Sequence, residues 1–373
     1  MVCPKVLKYL PPIHKKYLLC GVICVFVLDF FGAFTHLFEE DFDENFQYPY
    51  YGDIGKYVLQ LSTGIKPDVP PINVYNFSYL YSNSYKCKDS RNLRLVYIIK
   101  SSLENFERRK VIRRTWGYEK RFSDVKIFTI FVLGTSLKAE YQVSIDREIN
   151  AYKDIIQIDF IDSYYNNTLK TMSAFKWVTE YCPHSRFYFF SDDDMYISTK
   201  NVLRFLRNPT QYPGYLEMPP LQEQNTELLK DIKYKIRHSY NYDLPPNITL
   251  YAGFVFVSSP LRHKSSKWYV SLKEYKYNMW PPYIPAGAYV VSRDALFKLY
   301  YTSFYTKHFR FDDIFLGLVS LKAGIQPFHC DQFSFYKKKY NLLNYKYLIS
   351  SHGYDNPEEL EFIWNQQKEA GNV

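Results

Sequence analysis

Two groups of carboxylates carry the chemistry legible in this chain. Asp192, Asp193 and Asp194 close the aromatic run 186–191, in which Phe187 to Phe190 read as a buried strand. Three carboxylates leaving a sheet together repel one another, so they call for a cation or for a solvated acidic turn. Ligands collect at the carboxyl ends of strands in open α/β sheets. Hard oxygen ligands there suit Mg²⁺ or Mn²⁺ holding a substrate phosphate. Asp312 and Asp313 form the second group, set between Phe309 and Phe311 on one side and Ile314, Phe315 and Leu316 on the other. Free N–H groups favour carboxylates at a helix start, and a carboxylate in such apolar company can also act as a general base. Arg109 and Arg113 are spaced i, i+4 and share a helix face, which suits a diphosphate as well as solvent. His352 stands ahead of the last helical segment, either as a structural imidazole or as a metal ligand. Gly287, between Ala286 and Ala288, allows a backbone to approach a sugar closely or simply makes a turn.

These residues need a frame that brings them together, and the pattern offers one. Apolar runs at 93–99, 125–133, 155–160 and 187–190 read as strands. They alternate with helical segments at 102–116, 138–153 and 168–181. The alternation predicts an α/β fold with a mostly parallel central sheet flanked by helices. Residues 208–249, rich in Pro, Gln, Asn and Lys, break the pattern as a surface insertion. A strand then resumes at 251–258, and 267–292 reads as an ordered loop with short strands. Ser292 caps a helix to about Tyr301, Asp312 opens one to Lys322, and Pro357 starts the last, over 356–369.

The 373 residues are 47% hydrophobic, enough for a large core, and carry a net charge of +9 spread along the chain. No dense basic block interleaves with aromatics, which argues against nucleic-acid binding. Residues 1–16 read as a cytoplasmic tail carrying Lys5, Lys8, Lys15 and Lys16. Residues 17–38 read as a transmembrane signal-anchor, followed by Glu39, Glu40, Asp41, Asp43 and Glu44. That polarity sends the remainder across the membrane. Asp29 opposes insertion, and a cleaved signal peptide is the alternative. Residues 39–90 then read as a stem and 91–373 as the lumenal domain. Sequons at Asn76, Asn166 and Asn247 agree with a secretory route. Beyond the apolar segment, Cys87, Cys182 and Cys330 allow one bond and one leftover thiol. We expect Cys87–Cys182, with the other pairings left open by sequence.

The ordered motifs resemble the inverting β1,3-glycosyltransferases of glycosyltransferase family 31. They are RRKVIRRTWG at 108–117, NTLKT at 167–171, the triplet at 192–194, PPYIPAG at 281–287 and FDDIFLG at 311–317. The segments 115–119, 258–264, 266–272 and 323–325, with 28–32 and 35–37, are similar to the brainiac-type N-acetylglucosaminyltransferase branch. The resemblance implies a GT-A type fold in a single-pass type II Golgi membrane protein. It implies metal-dependent transfer, with Mn²⁺ and Mg²⁺ as the candidate ions, of GlcNAc from UDP-GlcNAc to an acceptor 3-hydroxyl. The acceptor it implies is the mannose of mannosyl-glucosylceramide, a glycolipid. Residue by residue, Asp194 and His352 become metal ligands and Asp313 the catalytic base. Asp192, Asp193, Arg109 and Arg113 fall beside the donor, and Trp280, Tyr283, Gly287 and Asp312 beside the sugars. Relatives often carry Cys-Ser-Gly or Thr-Ala-Gly where this chain has Ile284-Pro285-Ala286-Gly287, which bears on sugar choice. The insertion at 208–249 is longer than the branch leads one to expect. A β1,3-galactosyltransferase using UDP-Gal shares the motifs. A non-catalytic Golgi carbohydrate-binding protein on the same fold would not need both acidic clusters and the late His, and a metal phosphoesterase would release UDP without an acceptor.

Overall fold

The computed structural model describes residues 12–88, 90, 92–217 and 244–373, so most of the expected insertion, 218–243, lies outside the described residues. The chain divides into two compact units, Met1–Tyr48 with Val257–Pro281, and Pro49–Phe256 with Pro282–Val373.

The smaller unit opens with helix α1 (Pro12–Phe30). Leu19, Val22, Ile23, Val25, Phe26, Val27 and Leu28 are all exposed on it. The helix stops at Phe30 because Gly32 turns the chain with φ +82°, and Thr35–Phe38 forms a separate 3₁₀ turn. The expected span 17–38 is therefore not one helix. Among the described residues no helix is long and apolar enough to cross a membrane; α1 includes Lys15, Lys16 and Asp29 within its own length. Asp41 caps the single turn α2 (Phe42–Asn45) by accepting from the Glu44 N–H at 3.1 Å. Phe42 and Phe46 pack on Tyr277, and Tyr48 packs on Tyr275. Arg262 is buried, with Nε 2.7 Å from Glu39 and its other nitrogens donating to the Val270 and Tyr277 carbonyls at 2.9 Å.

The larger unit begins inside the stretch expected to be a stem. Helix α3 (Gly55–Ser62) and strand β1 (Tyr79–Tyr81) both fall there, and β1 is an edge strand of the main sheet. The elements that follow are β2 (Leu93–Lys100), α4 (Phe106–Arg114), β3 (Lys126–Thr135), α5 (Ala139–Tyr152), β4 (Ile155–Ile161), α6 (Asn167–Tyr181), β5 (Phe187–Asp192), β6 (Met195–Ile197) and α7 (Thr199–Phe205). After residue 243 come β7 (Tyr251–Gly253), β8 (Ala288–Ser292), α8 (Arg293–Ser303), α9 (Asp312–Lys322), β9 (Phe328–His329), β10 (Phe333–Ser334), β11 (Ser350–His352) and α10 (Pro357–Glu369).

Eight strands form one sheet in the order β1-β4-β3-β2-β5-β8-β7-β9. The run β4-β3-β2-β5 is parallel, while β8 is antiparallel to both β5 and β7, so the sheet is mixed. Strand alternation buries both faces. Leu95, Tyr97 and Ile99 enter one core with Phe189 and Phe333, while Val96 and Ile98 are equally buried on the opposite face. On that second face the Phe190 ring meets Phe175 of α6 at 4.9 Å. Cys87 and Cys182 form a disulfide with their Cα atoms 5.1 Å apart, and Cys330 is a buried free thiol. Asn76 and Asn247 are exposed, whereas Asn166 donates to the Ile161 carbonyl at 2.8 Å and Thr168 of its sequon is buried.

Candidate active site

Parallel pairing of β2 with β5 sets Lys100 beside Asp192 at the carboxyl ends of both strands. Lys100 is buried there, with Nζ 3.2 Å from Asp192 Oδ1 and 2.7 Å from Asp312 Oδ2. Burial opposes its charge, but the two carboxylates outweigh burial and raise its pKa. The motif at 167–171 sits on the first turn of α6 and grips the segment leading into α9. Thr168 Oγ1 donates to the Phe309 carbonyl at 2.8 Å, and Thr171 Oγ1 to Asp312 Oδ2 at 2.7 Å. Burial works against ionising Asp312, yet Lys100 and these hydrogen bonds hold its pKa below the ordinary value. Asp313 has no cation of its own in contact. Its burial, reinforced by the Asp312 charge, pushes its pKa up to about 7. One residue apart, two carboxylates are thus driven in opposite directions, one fixed as an anion and the other poised to exchange a proton near neutrality.

The other end of the cluster is built by the small sheet β10-β11-β6. Antiparallel pairing of β11 with β6 places His352 opposite Met195, next to the triplet. His352 Nε2 lies 3.1 Å from Asp194 Oδ2. That hydrogen bond raises the His352 pKa; on Asp194, burial is outweighed by the same bond and by the charges of His352 and Arg108, so its carboxyl falls below the ordinary value. Asp194 Oδ1 is buried with no hydrogen-bond partner. An orphaned carboxylate oxygen beside an imidazole fits a divalent cation. Among the described residues no group of three or more His, Cys, Asp and Glu could hold a metal. An ion held by Asp194 and His352 would leave most of its coordination positions to other ligands. Asp192 lies between the two ends; burial first, then Asp194 and Asp312, push its pKa up to about 6 against the pull of Lys100.

The loop 281–287 closes this edge because three glycines let it. A Cβ at Gly253 would fall 2.5 Å from Ile284 Cγ2, and one at Gly317 of α9 would fall 2.7 Å from Tyr283 Cβ. Gly287 then lies open to the cluster. A Cβ there would sit 3.8 Å from His352 Cδ2 and 4.0 Å from Asp192 Oδ2. The Gly287 carbonyl accepts from the Asp192 N–H at 3.1 Å, which ties the loop to the triplet.

The paired carboxylates and the Asp194–His352 contact lie together at the sheet edge. The galactosyltransferase family model matches residues 107–244 and 241–331. The chain belongs to the galactosyltransferase family. Beta-1,3-galactosyltransferase brn of Drosophila melanogaster is 40% identical to it over 363 residues, covering 96% of this chain and 98% of that protein. Beta-1,3-galactosyltransferase 1 of Homo sapiens is 30% identical over 295 residues, covering 79% of this chain and 80% of that protein. The chain is accordingly a hexosyltransferase, a β1,3-glycosyltransferase of family 31.

In this galactosyltransferase-family unit Asp192, Asp194, Gly287, Asp312 and His352 gather in one network, while Asp313, next to Asp312, accepts from the Ile314 N–H at 2.8 Å. Asp193 joins it in a different role from the one expected. It is buried and accepts from Ser101 Oγ at 2.6 Å, Asn105 Nδ2 at 3.0 Å and Arg108 at 3.0 Å, so it fastens α4 to the triplet. Arg109 and Arg113 are corrected. Arg109 is fully buried on Glu148, with Nη2 2.7 Å away, and on the Ser102 and Leu103 carbonyls. Arg113 is held by Glu148 and Asp154, each at 2.7 Å. Burial in these ion pairs turns both side chains into the protein rather than toward the triplet. Arg108, passed over in the sequence, is the arginine of α4 that reaches the triplet. Tyr283 pairs with Phe256 through its backbone, and the two rings stack at 5.8 Å. Trp280 falls in the smaller unit, where its ring lies 4.0 Å from that of Tyr275. Sequence reasoning missed Lys100. The available signal was its place at the end of an apolar run, the same position the triplet holds on the neighbouring strand.

Proposed function

We propose that this chain is an inverting, metal-dependent transferase of GT-A type that moves GlcNAc from UDP-GlcNAc to the 3-hydroxyl of an acceptor sugar. The mannose of mannosyl-glucosylceramide is the proposed acceptor. The observation that carries the reading is the contrast between Asp312, locked as an anion by Lys100, and Asp313, pushed up to about 7 beside it. Asp313 accepts the acceptor's hydroxyl proton as that oxygen attacks the anomeric carbon. The bond to the UDP oxygen breaks on the opposite face, and the configuration inverts; inverting glycosidases use the same geometry with water as nucleophile. Asp194 and His352 are the residues that would hold Mn²⁺, or Mg²⁺, which would supply charge neutralisation to the departing diphosphate. Asp193 keeps the triplet in register through Arg108, and Lys100 stops Asp312 from competing for the proton. Residues 1–38 are proposed to keep the enzyme on a Golgi membrane, with the larger unit lumenal.

UDP-Gal is the second reading, favoured by the names of the Drosophila and human relatives, both β1,3-galactosyltransferases. Mass spectrometry of mannosyl-glucosylceramide incubated with the purified protein, Mn²⁺ and each nucleotide sugar tests both. An N-acetylhexosamine increment supports the first reading, a hexose increment the second. Release of UDP at an equal rate without acceptor overturns both in favour of hydrolysis.

A further inference from the structure

The smaller unit holds features that the transfer reaction does not use. The apolar stretch of α1, residues 17–28, is exposed on nearly every side, and a helix that is apolar all round needs a covering. At 1.5 Å per residue that stretch is about 18 Å long, well short of a hydrocarbon core of about 30 Å. A short span is accommodated by drawing its flanking residues into the interface. The flanks supply what is needed. Phe30, Phe31, Leu37 and Phe38 follow the helix and are exposed, Leu37 and Phe38 by 75% and 72%.

A second segment, distant in sequence, is fastened to the same exit. The Lys264 N–H donates to the Phe30 carbonyl at 2.9 Å, and Lys264 Nζ pairs with Asp29 at 2.7 Å. Gly32 is the point of close approach, since a Cβ there would meet the Arg262 carbonyl oxygen at 2.7 Å. The segment 261–270 closes on itself by a bridge of Leu261 to Tyr269 and a hydrogen bond from the Val270 N–H to the Leu261 carbonyl at 2.9 Å. Its rim is Leu261 and Trp268, both exposed, with Lys267 Nζ 4.5 Å from the Trp268 ring. An exposed indole flanked by lysines, clasped to the end of an apolar helix, has the composition of a bilayer interface.

We infer that the loop 261–270 is a lipid-seating element, with Leu261 and Trp268 in the headgroup layer beside the exit of α1. Lys264 neutralises Asp29 there and sets the loop's depth. The inference rests on the membrane anchoring proposed above and names the surface that completes a helix too short to span alone.

The full-length protein in phosphatidylcholine vesicles tests it. Alkaline carbonate extraction reads anchoring. Quenching of tryptophan emission by headgroup spin-labelled phosphatidylcholine reads seating, with Trp268→Phe assigning the share of Trp268. The expected result is resistance to extraction, loss of about half of the Trp268-specific emission with the headgroup label, and weaker quenching in Lys264→Ala. Resistance to extraction without Trp268 quenching overturns the seating and leaves anchoring intact. Quenching in a protein that carbonate extracts keeps the seating and overturns the anchor. Extraction without quenching overturns both.

Discussion

Replacing Asp313 with Asn should make the protein more stable and nearly inactive at once. Raising a carboxyl from its ordinary 3.8 to about 7 costs up to about 4 kcal/mol when it is ionised. Solvent reaching the partly exposed side chain screens this to about 2 kcal/mol. The folded pKa is raised, so the unfolded chain releases this proton first, above about pH 4, and stability falls between about pH 4 and pH 7. Above pH 7 the full penalty is present, and Asn removes it together with the repulsion of Asp312. Thermal unfolding at pH 8 should therefore show Asp313→Asn about 3 °C above the wild type, with the gap closing toward pH 4. In transfer assays the same variant should lose about 10²–10⁴-fold. Wild-type kcat/KM should rise about tenfold per pH unit below 7 and level off above it, as the base ionises. A variant that keeps near wild-type turnover, or that unfolds below the wild type at pH 8, refutes the assignment of Asp313 as a half-buried base.

Lys100→Met should leave Asp192 and Asp312 facing each other without their cation and lower stability by about 3–5 kcal/mol, read by denaturant unfolding. Recovery in the double variant with Asp312→Asn would locate the loss in that pair. Gly287→Ala should fold normally, because its Cβ meets ordinary contact distances, yet raise the donor KM several-fold by filling the floor between Asp192 and His352. Arg109→Met should cost about 3 kcal/mol in unfolding while leaving UDP affinity unchanged; weakened UDP binding in a folded variant would restore Arg109 to the donor site.

The parts of the site that the sequence announces are those whose local pattern is unambiguous. The aromatic run before Asp192 could only be a buried strand, so the triplet had to emerge at its end. Asp312–Lys322 was legible as a helix from its acidic start and apolar interior, and its bounds agree with the structure. Ser292 was legible as a cap, and its side chain accepts from the Ala295 N–H; the Asn356 side chain caps the last helix as well, which sequence reasoning did not single out. The spacing of Arg109 and Arg113 told only that they share a face. Which face points inward depends on Glu148 and Asp154, some forty residues away, and nothing local to α4 reveals them. Lys100 went unnoticed because its two partners come from other elements. Strands β6, β10 and β11 run two or three residues each, too short for any periodicity to show. Their pairing alone brings His352 to Asp194. The strand read over 251–258 ends at Gly253, where Ile284 of a distant loop leaves no room for a side chain.

The most direct test is calorimetric titration of UDP with and without Mn²⁺ into the wild type, Asp194→Ala and His352→Ala. Two ligands and one orphaned carboxylate oxygen predict that the wild type binds UDP about tenfold or more tightly with the ion, and that both variants lose this gain while remaining folded. Mn²⁺-dependent UDP binding that survives intact in Asp194→Ala would contradict the placement of the cation between Asp194 and His352.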